Sequence, residues 1–83
     1  MDELTAKLVD LVEVVVAPLI EMPDDLEVNG AADGNTVRIE IAVNEADAGK
    51  VIGRQGRVIK AIRTLARAAA LQDGANVEVE LLD

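Results

Sequence analysis

The sequence predicts a single small α+β domain, with a helix at its start, a helical region in its second half, and strands between and after them. Three observations predict this class. Apolar residues recur every three or four positions over 4–19 and again over 57–71, and they alternate with polar residues over 36–43 and 77–81. The first spacing is typical of amphipathic helices and the alternation of half-buried strands. At 83 residues the chain has room for one core.

The first helix is expected over about 3–17. Its apolar face would consist of Leu4, Leu8, Leu11, Val12, Val15, Val16 and Leu19. Pro18 has no N–H group and fits badly in a helix interior, so the regular helix should end or kink near Ala17.

A β-hairpin is expected after this helix. Residues 22–25 predict a turn, 26–29 a short strand, and 30–35, which are rich in Gly, Ala and Asp, a loop. Residues 36–43 form the clearest strand of the chain. One face of that strand would carry Val37, Ile39, Ile41 and Val43.

Two helices separated by a glycine turn are expected next. Asn44 resembles an N-cap and Asp47 an acid in the first turn, which predicts a short helix to about Ile52. The turn at 53–56 interrupts it, and a third helix should run over about 57–71.

A final strand is expected at 77–81, after a helix stop at Asp73 and Gly74. The predicted order is therefore helix, strand, strand, helix, turn, helix, strand.

The charge distribution singles out residues 50–72. The formal net charge of the chain is −8, yet this segment holds six of the eight basic residues and no acid. It divides the chain into a segment of charge +6 and a remainder of charge −14, since the other 60 residues carry 16 acids and two bases. A concentrated basic segment with two glycines at its centre indicates a contact with phosphates.

Composition excludes several other functions. The chain has no Phe, Trp or Tyr, so it cannot bind bases by stacking on aromatic rings. It also has no Cys, Ser or His, which removes disulfides, thiolate metal sites and Ser–His or Cys–His catalysis. We therefore expect no enzyme, no catalytic residue, no cofactor and no metal. The acidic start lacks the basic region of a signal peptide, and no uncharged run is long enough to span a membrane, so a cytoplasmic protein without a membrane partner is expected.

A longer motif surrounds the two glycines. Val51, Ile52, Gly53, Gly56 and Ile59 form the pattern V-I-G-x-x-G-x-x-I, inside a predicted strand–helix–helix–strand frame. This pattern resembles the KH domain, an RNA-binding module whose GXXG loop clamps four backbone nucleotides. The additional helix and strand in front resemble the type II arrangement of prokaryotic KH domains. The size of the chain, its start and its ending V-E-V-E-L-L-D are similar to the small single-KH bacterial proteins of the KhpA family.

The resemblance implies a type II KH fold over one domain, residues 1–83. Its core would be the β-α-α-β unit at about 36–82, and a three-stranded sheet would pack against three helices. It also implies an RNA-binding site at the loop and its flanks. The residues that we expect to contribute are Lys50, Ile52, Gly53, Arg54, Gln55, Gly56, Arg57, Ile59 and Lys60.

The loop residues suit contact with a phosphate chain. Glycines at 53 and 56 permit close approaches that a Cβ would block, and the N–H groups of Gly56 and Arg57 should be free at the start of the third helix. In the family, bases lie in an apolar groove beside the loop. Ile52 and Ile59, with Ile39 or Ile41, are the candidates to line it.

Two basic residues further along the third helix have an open assignment. Arg63 and Arg67 lie one turn apart, and they suit a solvated face or partners for the acidic surface as well as they suit RNA contact.

The resemblance implies a non-catalytic RNA-binding protein for single-stranded RNA. It further implies a homodimer and/or a larger KH-containing partner of the KhpB (Jag, EloR) type, a role as an RNA chaperone or post-transcriptional regulator, and a link to cell shape and division. A different class stays open, a protein-interaction subunit that contacts RNA only incidentally. The apolar surplus of the third helix motivates it, with Val58, Ile62 and Leu65 as the partner surface.

Overall fold

The computed structural model describes residues 3–82. Within this range the chain forms three α-helices and three β-strands, linked by short 3₁₀ turns. In chain order they are α1 (Glu3–Val16), β1 (Glu27–Asp33), β2 (Thr36–Ala42), α2 (Ala48–Ile52), α3 (Arg57–Ala69) and β3 (Asn76–Leu82). The α+β class and the order of elements predicted from the sequence are confirmed.

The three strands form one mixed sheet with β2 in the middle. β1 pairs antiparallel with β2 through the hairpin, and β3 pairs parallel with β2. A parallel neighbour needs a long crossover, and α2, the loop and α3 together supply it. The carboxyl ends of β2 and β3 therefore lie side by side, next to the start of α2.

All three helices pack on one face of the sheet. The buried side chains of β2 are Val37, Ile39 and Ile41, and they meet the apolar faces of α1 and α3. In residues 3–82 the hydrophobic core cluster consists of Leu, Ile, Val and Ala, since the sequence has no Phe, Trp or Tyr. Lys7 Nζ donates to the Ala69 carbonyl at 3.1 Å, which places the start of α1 beside the end of α3.

The other face of the sheet is open and acidic. The alternation of the strands directs five carboxylates and one guanidinium to this face. They are Glu27, Asp33, Glu40, Glu78, Glu80 and Arg38. Arg38 pairs with Glu78 across the parallel strands at 3.2 Å, and both side chains are about half exposed. We call this surface the acidic face.

The prediction of a loop at 30–35 is wrong for the first four of these residues. β1 continues to Asp33, and only Gly34 and Asn35 form the turn. A Cβ at Gly30 would lie 2.7 Å from Thr5 Cγ2 and 2.8 Å from Val9 Cγ2. The glycine is therefore part of a strand that lies close beneath α1, and its small size reflects packing rather than a loop.

The remaining boundaries agree with the sequence to within two or three residues. α1 ends at Val16 and a 3₁₀ turn takes in Pro18, as the missing N–H predicts. Leu19 is exposed rather than part of the buried face. α3 ends at Ala69, slightly earlier than predicted, and a 3₁₀ turn leads to Gly74 in the left-handed conformation. Over residues 3–82, no helix has both the length and the apolar character needed to cross a bilayer.

Candidate nucleic-acid interface

The loop between α2 and α3 has a backbone that only glycine can adopt at its first position. Gly53 has φ 76° and ψ 173°, a region that residues with a side chain essentially never occupy. A Cβ there would also collide with the side chain of Val58 and lie 2.8 Å from its backbone nitrogen. Gly53 thus lets the chain reverse direction directly against the start of α3.

The rest of the loop also departs from ordinary backbone. Gln55 is in the left-handed region at φ 58°, the one non-glycine residue with positive φ among residues 3–82. Its side-chain oxygen accepts a hydrogen bond from Arg57 Nη2 at 3.2 Å. Gly56 follows at φ 75°, and a Cβ there would meet nothing closer than Lys60 Cε at 3.8 Å. The loop therefore presents an open surface at Gly56, with the Lys60 side chain extended beside it.

The two backbone donors expected to be free are engaged inside the loop. The Gly56 N–H donates to the Gly53 carbonyl at 3.1 Å, and the Arg57 N–H donates to the Arg54 carbonyl. The expectation that these N–H groups await a phosphate is therefore wrong, because the 3₁₀ turn at Arg54–Gly56 satisfies them. Side chains, rather than these two amides, supply the positive charge of this surface.

Three exposed cations lie at the loop without an acidic partner. Arg54, Arg57 and Lys60 form no ion pair with any carboxylate in the described part of the chain. Their charges are therefore free to attract an anion from solution. We call Arg54, Arg57 and Lys60 the loop cations.

Lys50 is engaged elsewhere. Its ammonium lies 3.0 Å from Glu21 Oε1 and 3.1 Å from Asp47 Oδ1. The hydrogen bond to Glu21 is the main reason why the pKa of Lys50 is raised above its usual value. Because Lys50 is two positions from Ile52 in α2, the two side chains leave the helix on opposite flanks.

Asp47 is buried, and it anchors the flank of α2 that carries Lys50. Its side chain is only 1 % exposed, and its carboxylate accepts the backbone N–H groups of Glu21 at 3.1 Å and Met22 at 3.0 Å. The hydrogen bond from Glu21 is the main cause of a lowered pKa of the Asp47 carboxyl group. Sequence reasoning identified Asp47 only as an acid near a helix start, since no local pattern reveals backbone partners 25 and 26 residues away.

The apolar residues that were predicted to line a groove for bases differ in how far their side chains are exposed. Ile52 is 41 % exposed beside the loop, whereas Ile59 is 7 % exposed and packs in the core beneath it. Ile39 and Ile41 have no exposed surface, so they do not line a groove in this structure. Ile52 is the aliphatic contact that the structure makes available.

A hollow of about 410 Å³ lies on the Ile52 side of α2. It is lined by Val43 after β2, Glu45, Ala48 at the start of α2 and Leu82 at the end of β3. Ala48 and Ile52 are four residues apart, so they share one flank of the helix, about 6 Å apart along its axis. The hollow thus continues the surface that begins at the loop. We call it the α2 hollow.

The two later arginines of α3 differ from each other. Arg63 is half-buried and its Nε donates to the Val79 carbonyl of the edge strand β3 at 3.1 Å. Arg67 is exposed and has no acidic partner among residues 3–82. Arg63 therefore has a structural role at the sheet edge, while Arg67 belongs to the solvated flank.

The predicted partner surface on α3 requires a correction. Ile62 is only 2 % exposed and belongs to the core, because it faces the sheet together with Ile59 and Ala66. Val58 is half-buried and Leu65 is 48 % exposed. The broad apolar character of α3 arises mainly from contacts within the monomer, and Leu65 is its large exposed apolar side chain.

Comparison with known proteins agrees with this architecture. Residues 9–81 match the family model described as KhpA/KhpB, KH domain. The chain is 41 % identical over 73 residues to a Clostridium perfringens protein, covering 88 % of this chain and 97 % of the relative. It is also 41 % identical over 74 residues to a Bacillus subtilis protein, covering 89 % and 91 %. Both relatives bear the name RNA-binding protein KhpA.

The fold is shared with a protein of known structure. The crystal structure of an Aquifex aeolicus Era variant bound to GDP·AlF4⁻ superimposes with a TM-score of 0.67 at 24 % sequence identity. The match covers 98 % of this chain and 31 % of the Era chain. At this identity the likeness concerns the fold alone. The family model and the near full-length relatives, together with the glycine loop between α2 and α3, show that this chain belongs to the KhpA/KhpB family of KH-domain proteins.

Proposed function

We propose that this chain is a non-catalytic RNA-binding protein that holds the backbone of single-stranded RNA at residues 53–56. The observation that carries the proposal is the pairing of a strained glycine loop with three exposed cations that have no acidic partner in residues 3–82. The names of the KhpA relatives support the same ligand.

The loop cations would contact successive phosphates of one strand. Gly53 and Gly56 keep the loop surface low, and the positive end of the α3 dipole points toward the same place. About two to four phosphates would be neutralised, so the logarithm of affinity should fall with the logarithm of salt concentration with a slope of about −0.7 per phosphate. Because so few phosphates are contacted, we expect binding through one domain to be weak, on the order of micromolar.

Bases would lie on the Ile52 side of the loop. An aliphatic contact replaces the aromatic stacking that this composition excludes. Ile59 would support Ile52 from below without contributing much surface, and Lys50 would hold α2 in place from the opposite flank instead of contacting RNA.

The decisive test is a charge reversal in the loop with a matched control. The double variant Arg54→Asp with Gln55→Asp should lower affinity for a labelled single-stranded RNA at least tenfold in fluorescence anisotropy. The control is Arg67→Asp with Gln72→Asp, which makes the same two exchanges away from the loop, at an exposed arginine that has no acidic partner among residues 3–82 and at an exposed glutamine. Circular dichroism checks that both variants are folded. Equal affinity of the two double variants would reject the loop as the RNA site.

We further infer that the protein acts in the cytoplasm as a dimer or with a larger KhpB-type partner, as an RNA chaperone or post-transcriptional regulator connected with cell shape. The family model, whose description includes both KhpA and KhpB, supports a partnership. A specific surface also favours the assembly alternative. Leu65 on α3 and Val14 on α1 are 48 % and 71 % exposed, and the two helices that carry them contact each other.

Assembly is tested apart from RNA binding. Leu65→Asp should convert a dimer to a monomer in light scattering coupled to size exclusion, while Leu71→Asp, at another exposed leucine beyond α3, should leave the mass unchanged. A wild-type mass of one chain would reject the homodimer and leave the partner protein as the assembly to be sought.

A further inference from the structure

We propose that Glu45 selects the base that lies in the α2 hollow, favouring cytosine over uracil. The inference rests on the proposed RNA-binding function and adds a specificity determinant to it. Sequence reasoning did not single out Glu45, because an acid near a basic segment does not by itself suggest contact with RNA.

The hollow is placed to receive a base whose phosphate is at the loop. Ala48 and Ile52 continue one flank of α2, so the hollow is about one helical turn from Ile52. Its other walls come from the ends of the two parallel strands, which meet at this edge of the sheet. A volume of about 410 Å³ is at the small end of the range for ligand pockets and is ample for a single base.

The walls provide apolar contact and one charged group. Val43 and Ala48 are half-buried and Leu82 is 42 % exposed, which leaves aliphatic surface on which a base can lie. Among the described residues that line the hollow, Glu45 is the only one with a charged side chain. A base held on such walls must satisfy its polar edge, and Glu45 brings a side chain that can accept hydrogen bonds to the lining of the hollow.

Unlike the neighbouring polar residues Asn44 and Asp47, Glu45 uses its side chain for no hydrogen bond or ion pair within residues 3–82. Asn44 uses its side chain to cap Ala46 N–H and to donate to Asp25. Asp47 is fully engaged with the Glu21 and Met22 backbone and with Lys50. In the described chain, Glu45 has no side-chain hydrogen bond or ion pair, and it is exposed. Its carboxylate is therefore available as an acceptor.

The chemistry of a carboxylate discriminates between the two pyrimidines. An ionised carboxylate only accepts hydrogen bonds, and cytosine presents the N4 amino group as a donor. Uracil carries an O4 acceptor at the same place, so its oxygen would face the carboxylate without a proton between them. The two bases have nearly the same size and shape. The hollow itself should treat them alike, and the difference in affinity reports on Glu45.

The test compares oligocytidine with oligouridine of equal length and label, by anisotropy at pH 7.5. Wild type should bind the cytidine strand about three- to tenfold more tightly, which corresponds to the net value of one ordinary hydrogen bond, as expected for an exposed side chain. Glu45→Gln should bring the ratio close to one, because an amide both donates and accepts. Glu45→Lys should invert it, because an ammonium donates to O4.

The control variants are Glu13→Gln and Glu13→Lys on the exposed side of α1, which make the same charge changes away from the hollow. All four variants should bind RNA more tightly through reduced repulsion, so the ratio of the two affinities is the readout. A wild-type ratio near one, or the same ratio in the Glu45 and Glu13 variants, would overturn the proposal.

The result also separates this inference from the function on which it rests. If the loop double variant abolishes binding of both strands and the Glu45 variants leave the ratio unchanged, only the base selection fails. If wild type binds neither strand, or the loop variant binds as wild type does, the RNA site itself is wrong and the base selection falls with it.

Discussion

The two ends of α2 are built for different purposes, although only five residues separate them. Its start is fixed: Asp47 is buried and takes two backbone N–H groups from another part of the chain, with Lys50 closing the cluster. Its end is open: Gly53 turns the chain sharply, and the cations that follow have no acidic partner in residues 3–82. We refer to these as the anchored end and the loop end.

The comparison shows that like charges in one basic segment are not equivalent. Lys50 and Arg54 are four residues apart and carry the same charge. Lys50 is neutralised within the fold and contributes to its stability, whereas the charge of Arg54 faces solvent. A count of basic residues therefore overstates the charge that is available to RNA.

Removing the anchor should have the largest effect on stability. Asp47→Ala leaves the Glu21 and Met22 N–H groups without their acceptor and Lys50 with one partner fewer. We expect the melting temperature to fall by roughly 15 °C or more in a domain of this size. Differential scanning calorimetry measures it. A fall of less than about 5 °C would mean that water replaces the carboxylate at little cost, and that Asp47 does not anchor the start of α2.

Altering the loop end should have the next largest effect. Gly53→Ala forces a side chain into a conformation essentially restricted to glycine and against Val58, so the free energy of unfolding should fall by about 2–3 kcal/mol. Gly34→Ala is the matched control, because that glycine also has positive φ but has nothing within 4 Å of a Cβ. It should cost about 1 kcal/mol. Urea denaturation of both variants checks the difference, and equal costs would indicate that the loop relaxes freely.

Neutralising one cation at each end should separate binding from stability. Arg54→Gln should lower RNA affinity about three- to tenfold and reduce the salt slope by about 0.7, with little change in melting temperature. Lys50→Gln should lower the melting temperature and leave the RNA affinity nearly unchanged, because it removes the partner of Asp47 and Glu21. Anisotropy at two salt concentrations and a thermal melt of each variant decide the matter. A larger loss of affinity in Lys50→Gln would place RNA on the anchored end.

The smallest expected effect is the pH dependence of the anchored end. The pKa of Asp47 is lower in the folded state, so its contribution to stability is complete above the unfolded value of about 3.9 and is lost as the pH falls through the folded one. The pKa of Lys50 is raised, so its contribution is complete below about 10.4 and is lost at higher pH. The difference in melting temperature between wild type and Asp47→Asn should be constant over roughly pH 5–9 and shrink below about pH 4. A constant difference down to pH 2 would show that the ionised carboxylate is not what stabilises this end.

The sequence was sufficient for the element order because helical and strand spacings dominate this chain. The hairpin boundary was missed at Gly30, where a small residue was interpreted as part of a loop although it marks close contact with α1. Composition alone cannot distinguish a glycine in a loop from a glycine that packs closely against a helix, since both situations favour glycine.

The site was predictable only in its local part. The glycines of the loop are visible in the sequence because their spacing is short. The roles of Lys50 and Ile62 were not visible, since the first depends on Glu21, 29 residues away, and the second on which part of a broadly apolar helix meets the sheet. Both facts depend on contacts between elements, which no single helix pattern contains.

The acidic face has a consequence for how many strands one molecule can handle. A nucleic acid that approaches the open side of the sheet meets mainly carboxylates and is repelled, whatever happens at the loop. One domain can therefore bind RNA on the side of the loop but not on the acidic face, and it cannot hold two strands on opposite surfaces. Any bringing together of two RNA segments would have to come from two domains facing outward, and the geometry of their junction would decide how the segments cross.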